Sequence, residues 1–262
     1  MSHKLRIERD GAVARVWLSR PEVRNAFDAE LIRELTSTFN ALGVETAEAL
    51  RAVVLGGDGE TFSAGADVEW MRGSLALGRE ENAADAARMQ AMFSVVDGCP
   101  VPVIARVQGA ALGGGMGLCA VADLVLATAD ATFGFTETKL GLLPAVISPF
   151  VLAKIGESHA RALFPTGERF GAERARQIGL VHEVLADEPA LDARVDAVID
   201  ELLSAGPTAT RAAKALVRDL RTLNASDARA HTVQHIAEQR TSAEGQEGLS
   251  AFLEKRPPSW RS

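Results

Sequence analysis

The stretch A-L-G-G-G-M-G-L, from Ala111 to Leu118, constrains this chain more than any other, and Glu137 follows twenty residues after Gly117. Three consecutive glycines open an apolar run of Met116, Leu118, Cys119, Ala120 and Val121. That pattern predicts a buried helix whose first turn bares backbone N–H groups, because no side chain covers them. Uncovered donors at a positive helix end suit an oxygen that gains negative charge during a reaction. A second small-residue segment, F-S-A-G-A-D from Phe62 to Asp67, offers a further donor. A dinucleotide loop is the competing reading of the glycines. From Gly113 the strict G-x-G-x-x-G pattern fails at Leu118, and the relaxed match from Gly115 lies inside the expected helix. The chain holds no G-x-x-x-x-G-K-[ST] phosphate loop.

The flanking pattern is that of an α/β chain. Alternation over L-R-I-E (Leu5 to Glu8) and A-V-A-R-V-W-L (Ala12 to Leu18) predicts two strands turned at Asp10-Gly11. Asp28 is an expected N-cap for a helix with Leu31, Ile32, Leu35, Phe39 and Leu42 on one face, ending at Gly43. Further strands are expected at Ala52–Leu55, Val103–Val107 and Leu124–Ala127, with a helix over 79–97. Asp123 reads as a helix-to-strand junction residue. Strand–strand–helix units thus recur without a linker to about residue 135, and from about 149 the pattern turns helical. Helical spacing marks Leu191–Leu203, Thr208–Leu223 and Ser226–Gln239. The expected division is a core over 1–190 and a helical subdomain over 191–262.

Bulk properties narrow the partners. With 262 residues, 47% hydrophobic and 24% charged, the chain can bury a substantial core. A formal net charge of −7 without a basic stripe argues against nucleic acid as a main partner. No apolar run approaches bilayer length, the N-terminus lacks an apolar signal core, and two cysteines make no disulfide framework. A cytoplasmic location is the expectation. His231 and His235 have helical metal-ligand spacing, but H-T-V-Q-H lacks the Glu of H-E-x-x-H and shows no third ligand, so no metal is expected.

The paired segments A-G-A-D and L-G-G-G-M-G, in this order, resemble the enoyl-CoA hydratase/isomerase (crotonase) family, and the resemblance runs from about Val16 to Trp260. It implies a spiral of repeated ββα units followed by helices for trimerisation, assembled as a trimer or dimer of trimers. It also implies an acyl-CoA substrate that brings its own coenzyme A, with no separate cofactor. By matching motif positions, the N–H groups of Ala66 and Gly114 would hold the thioester oxygen of an enolate, with Gly113 beside them. Glu137, in F-G-F-T-E-T-K-L-G-L, matches the second catalytic glutamate of hydratases and the single acid of enoyl-CoA isomerases. Beside Phe133, Phe135 and Leu140, its pKa is expected to rise enough to move a proton at the substrate α-carbon.

Arg24 and the backbone around Ala64, Asp67 and Val68 match positions that embrace the nucleotide. Phe252 and Lys255 match tail positions that serve a neighbouring subunit's ligand, or else act as an apolar anchor and a solvated charge. Gly117, which matches a position at the substrate, departs from the pattern: ordinary hydratases carry their first catalytic glutamate there. Yet T-E-T-K-L-G-L-L-P-A-V-I-S-P-F is similar to the hydratase branch acting on methylglutaconyl- and isohexenylglutaconyl-CoA, and A-V-I-S-P-F is expected to reshape the acyl pocket. The resemblance therefore implies reversible hydration of a branched or carboxylated 2-enoyl-CoA. Δ3–Δ2 enoyl-CoA isomerisation and a silent acyl-CoA-binding role are the alternatives.

Overall fold

The computed structural model describes residues 3–261. Its first hairpin pairs β1 (Leu5–Asp10) antiparallel to β2 (Val13–Leu18), as the alternation predicts. Helix α1 (Ala29–Gly43) starts where Asp28 accepts the Leu31 N–H at 2.8 Å, and it buries the five expected apolar residues. Strand β3 (Ala52–Gly57) follows, then α2 (Val68–Ser74) and α3 (Arg79–Asp97). Next come β4 (Val103–Val107), β5 (Ala110–Leu112), α4 (Gly114–Val121), β6 (Leu124–Thr128) and β7 (Thr132–Gly134). Helix α5 (Ser148–Thr166) is interrupted at Gly156, where φ is 76°. The chain continues through β8 (Arg169–Gly171), α6 (Ala172–Gln177), β9 (Glu183–Leu185) and α7 (Glu188–Ser204). It closes with α8 (Pro207–Leu220), α9 (Ala225–Thr241) and α10 (Ala243–Leu253).

Two sheets result. The larger runs β1-β2-β3-β4-β6-β9 and is parallel throughout except for the β1–β2 hairpin. Its inner strands β3 and β4 are buried at every position, as strands covered on both faces must be. The smaller sheet, β5-β7-β8, lies beside the glycine run. One core cluster joins α1, α3, α4 and α5 to both sheets. A second packs Leu191, Val195 and Ile199 of α7 onto Val13, Ala52, Val54, Ile104 and Leu126. Asp123 sits at the α4–β6 junction as expected, accepting the Val103 N–H at 2.7 Å and the Lys214 ammonium at 2.5 Å.

The last three helices differ from the rest. Helix α8 buries Pro207 alone, α10 buries Ala251 alone, and α9 buries none of its residues. Val217, Val233, Ile236, Leu249, Phe252 and Leu253 are all exposed on them. No helix among the described residues is long and apolar enough to cross a membrane.

Candidate active site

The F-S-A-G-A-D segment is threaded between two other backbones. On one side the Ser63 N–H donates to Ala110 O and the Leu112 N–H donates to Ser63 O, both at 2.9 Å. On the other, the Phe27 N–H donates to Gly65 O at 2.7 Å and the Asp67 N–H donates to Phe27 O at 2.9 Å. Gly65 has φ +92°, and a Cβ there would stand 3.0 Å from Leu112 O. Only glycine lets the two strands of backbone approach this closely. In this parallel bridge, Ala66 makes no backbone donation, and its N–H is left over.

The glycine run completes the arrangement. Gly113 donates to Gly134 O at 3.0 Å and adopts φ 49°, ψ −113°, a conformation closed to L side chains. Helix α4 then begins at Gly114, whose N–H belongs to the unsatisfied first turn. Neither the Ala66 nor the Gly114 N–H donates to an acceptor among the described residues. A Cβ at Gly114 would meet the Phe27 ring at 3.0 Å, and one at Gly115 would meet Ser63 O at 2.9 Å. The glycines thus serve both close packing and access to the backbone.

Glu137 stands on a 3₁₀ turn, Thr136–Leu140, that follows β7. Phe135 before it is fully buried against Phe164, with ring centroids 4.8 Å apart, and Thr138 donates its hydroxyl to Phe164 O at 3.0 Å. These contacts fix the backbone from which the carboxyl projects. A Cβ at Gly113 would lie 3.5 Å from Glu137 Oε1, which puts the carboxyl beside the start of α4. Oε2 is buried and has no hydrogen-bond partner among the described residues. Burial pushes the Glu137 pKa above the ordinary glutamate value, opposed only by a backbone hydrogen bond. A carboxyl in that state can take up and return a proton.

Ala64, Ala66, Gly113, Gly114 and Glu137 all line one cavity of about 310 Å³. Its wall also includes Met89, and Ala145, Val146 and Ile147 of the A-V-I-S-P-F run. The other expected site residues lie outside its lining. Arg24 and Lys255 are exposed and adopt positive φ, at 54° and 56°. Val68 is exposed as well.

Asp67 is a strut: it caps α2 through the Glu69 and Trp70 N–H groups and pairs with buried Arg20 at 2.9 Å. Burial would raise its pKa, but those N–H groups and Arg20 outweigh the effect and hold it below the ordinary range. Gly117, expected from the sequence at the substrate site, is buried and does not itself line the cavity. A Cβ at that position would meet Ile147 Cγ2 at 2.5 Å and Phe93 Cε1 at 2.6 Å. Apolar side chains occupy the space that a carboxylate would need.

Six cavity residues were not anticipated: Trp70, Met71 and Ser74 on α2, and Asn82, Asp85 and Ala86 on α3. The one sequence signal for α2 was the capping aspartate before V-E-W-M, since this helix buries none of its residues and carries no apolar period.

A model of the enoyl-CoA hydratase/isomerase family matches residues 8–262. The enoyl-CoA hydratase ACTT6 of Alternaria alternata is 36% identical over 213 residues, covering 80% of this chain and 68% of that protein. A crystal structure of an enoyl-CoA hydratase from Shewanella pealeana has a TM-score of 0.93 at 39% identity, covering 98% of this chain and 96% of its own. Pseudomonas aeruginosa AtuE has a TM-score of 0.95 at 37% identity, over 99% and 100% of the two chains.

Proposed function

The chain belongs to the enoyl-CoA hydratase/isomerase family, and on that premise we propose that it catalyses the reversible hydration of a branched or carboxylated 2-enoyl-CoA, such as 3-methylglutaconyl-CoA. One observation carries the proposal: a buried, unpartnered carboxyl oxygen borders the same cavity as two uncommitted backbone N–H groups. The thioester oxygen rests between the Ala66 and Gly114 N–H groups. As water adds to C3, the electron pair of the double bond moves through C2 onto that oxygen, giving an enolate. Glu137 takes the proton released by the water and returns it to C2 as the enolate collapses. Each N–H donor of this kind contributes about 3 kcal/mol in the transition state.

The acyl preference follows from position 117. Phe93 and Ile147 fill that space, so the protein offers no second carboxylate there to hold water. A substrate that brings its own carboxylate makes up the loss. The same observation favours a second reading, Δ3–Δ2 isomerisation, in which one acid removes a proton from C2 and redelivers it at C4. A silent binding protein would not need an unpartnered acid in the acyl cavity.

The remaining assignments are part of the same reading. Arg24 and the backbone around Asp67 and Val68 hold the nucleotide, and Lys255 with Phe252 reaches a neighbouring subunit's ligand in a cytoplasmic trimer or dimer of trimers. The exposed apolar residues of α8–α10 support such an assembly.

The test is a set of CoA thioesters followed by mass spectrometry and product analysis. Hydration adds water, whereas isomerisation leaves the mass unchanged and moves the double bond. The proposal expects 3-methylglutaconyl-CoA to turn over much faster than crotonyl-CoA. Fast crotonyl-CoA hydration would contradict it.

A further inference from the structure

Helices α8 and α9 bring together three side chains that the acyl-CoA cavity does not use. His231 and His235 lie four residues apart on α9 and so share one face, with ring centroids 3.9 Å apart. The third ligand absent from the sequence motif comes from α8. Asp219 Oδ2 lies 3.7 Å from His231 Nε2. One ligand atom from each of Asp219, His231 and His235 falls within 4.8 Å of the other two. We propose that these three residues bind a transition-metal dication, Zn²⁺ in the first instance, and that the ion fastens α9 to α8.

The donor chemistry selects the ion. Two imidazoles and one carboxylate form a zinc-type set, which also accepts Co²⁺, Ni²⁺ and Cu²⁺ but does not suit Ca²⁺ or Mg²⁺. Tetrahedral zinc with bonds of roughly 2.0–2.2 Å places its ligands about 3.3–3.6 Å apart. Side-chain rotation of ångström size closes the observed cluster to that geometry. His231 Nε2 is buried and makes no hydrogen bond to the described residues, although buried polar atoms are ordinarily partnered. An ion at this point would satisfy it.

Neighbouring charges leave the cluster open. Arg218 Nε lies 3.5 Å from Asp219 Oδ1, so Oδ2 stays turned to His231. Glu238 Oε2 lies 3.5 Å from His235 Nδ1 and adds negative charge at the rim. All three ligands are partly exposed, which gives an ion a way in. The structural consequence is plain from α9 itself. Within one chain, none of the seventeen residues of α9 is fully buried, so the helix lacks the apolar contacts that normally hold one in place.

The experiment uses the full chain, free of any affinity tag and dialysed against chelator, titrated with ZnCl₂ by calorimetry. One ion per chain is expected, with a rise in Tm because the ion binds the folded state. Asp219→Asn and His235→Ala should each weaken binding at least about tenfold, since even an outer partner of a metal ligand is worth roughly 10–100-fold. Turnover of CoA thioesters should be unchanged in both. Asp219→Asn preserves side-chain shape and keeps the test decisive if His235→Ala folds poorly. Absence of stoichiometric binding, or equal affinity in wild type and Asp219→Asn, would overturn the site.

Discussion

Position 137 holds a carboxyl with an unpartnered buried oxygen, while position 117 holds a glycine pressed between Phe93 and Ile147. Both adjoin the first turns of α4, yet one side is prepared for a proton and the other is packed with hydrocarbon. The difference teaches that packing, as much as the inventory of acids, decides where a site can carry charge. A carboxylate needs space and some route to water or a hydrogen-bond donor. Position 117 offers neither, so the proposed mechanism assigns chemistry at the enolate to Glu137 alone.

Removing the acid side of this contrast should give the largest effect. Glu137→Gln keeps the shape but cannot move a proton, so kcat should fall by roughly 10²–10⁴-fold with KM little changed. Steady-state kinetics on the best thioester checks this. Forcing an acid onto the apolar side should give a smaller and different result. Gly117→Glu must displace Phe93 or Ile147, with an expected loss of about 1–3 kcal/mol in urea unfolding from overpacking alone. Crotonyl-CoA hydration should not increase. A variant as stable as wild type that hydrates crotonyl-CoA faster would erase the contrast between the two positions.

The smallest effect concerns stability and pH. Burial raises the folded-state pKa of Glu137 above its unfolded value, so ionisation costs the folded state stability. That cost is absent below the unfolded pKa, grows as pH rises through the folded pKa, and is fully present above it. Glu137→Gln should therefore raise Tm modestly at neutral pH, with the gain vanishing toward pH 4. Paired thermal melts across that range give the sign directly.

How much of this was legible in the sequence depended on range. Helix α1 was readable because Asp28 and its five apolar residues lie within one short window. The glycine run, the F-S-A-G-A-D segment and Glu137 were readable as motifs, and the elevated Glu137 pKa followed from its phenylalanine neighbours. Strands β8 and β9 were missed because three residues carry no period, although β9 closes the larger sheet. Helix α10 was also missed, with only Ala251 buried along its length. The filling of position 117 depends on Phe93 and Ile147, which are remote in sequence and meet only through the packing of α3 and α5 on α4. Asp219 escaped for the same reason, since the approach of α8 to α9 alone sets it beside His231.

The central claim is that one carboxyl, Glu137, moves the proton at the substrate α-carbon. Deuterium incorporation at C2 tests it most directly, whichever of hydration or isomerisation prevails. A turned-over CoA thioester is incubated with enzyme in D₂O and read by mass spectrometry and NMR. Wild type should place solvent deuterium at C2, and Glu137→Gln should do so at least about a hundredfold more slowly while still binding the thioester. Exchange at the wild-type rate in Glu137→Gln would contradict the account.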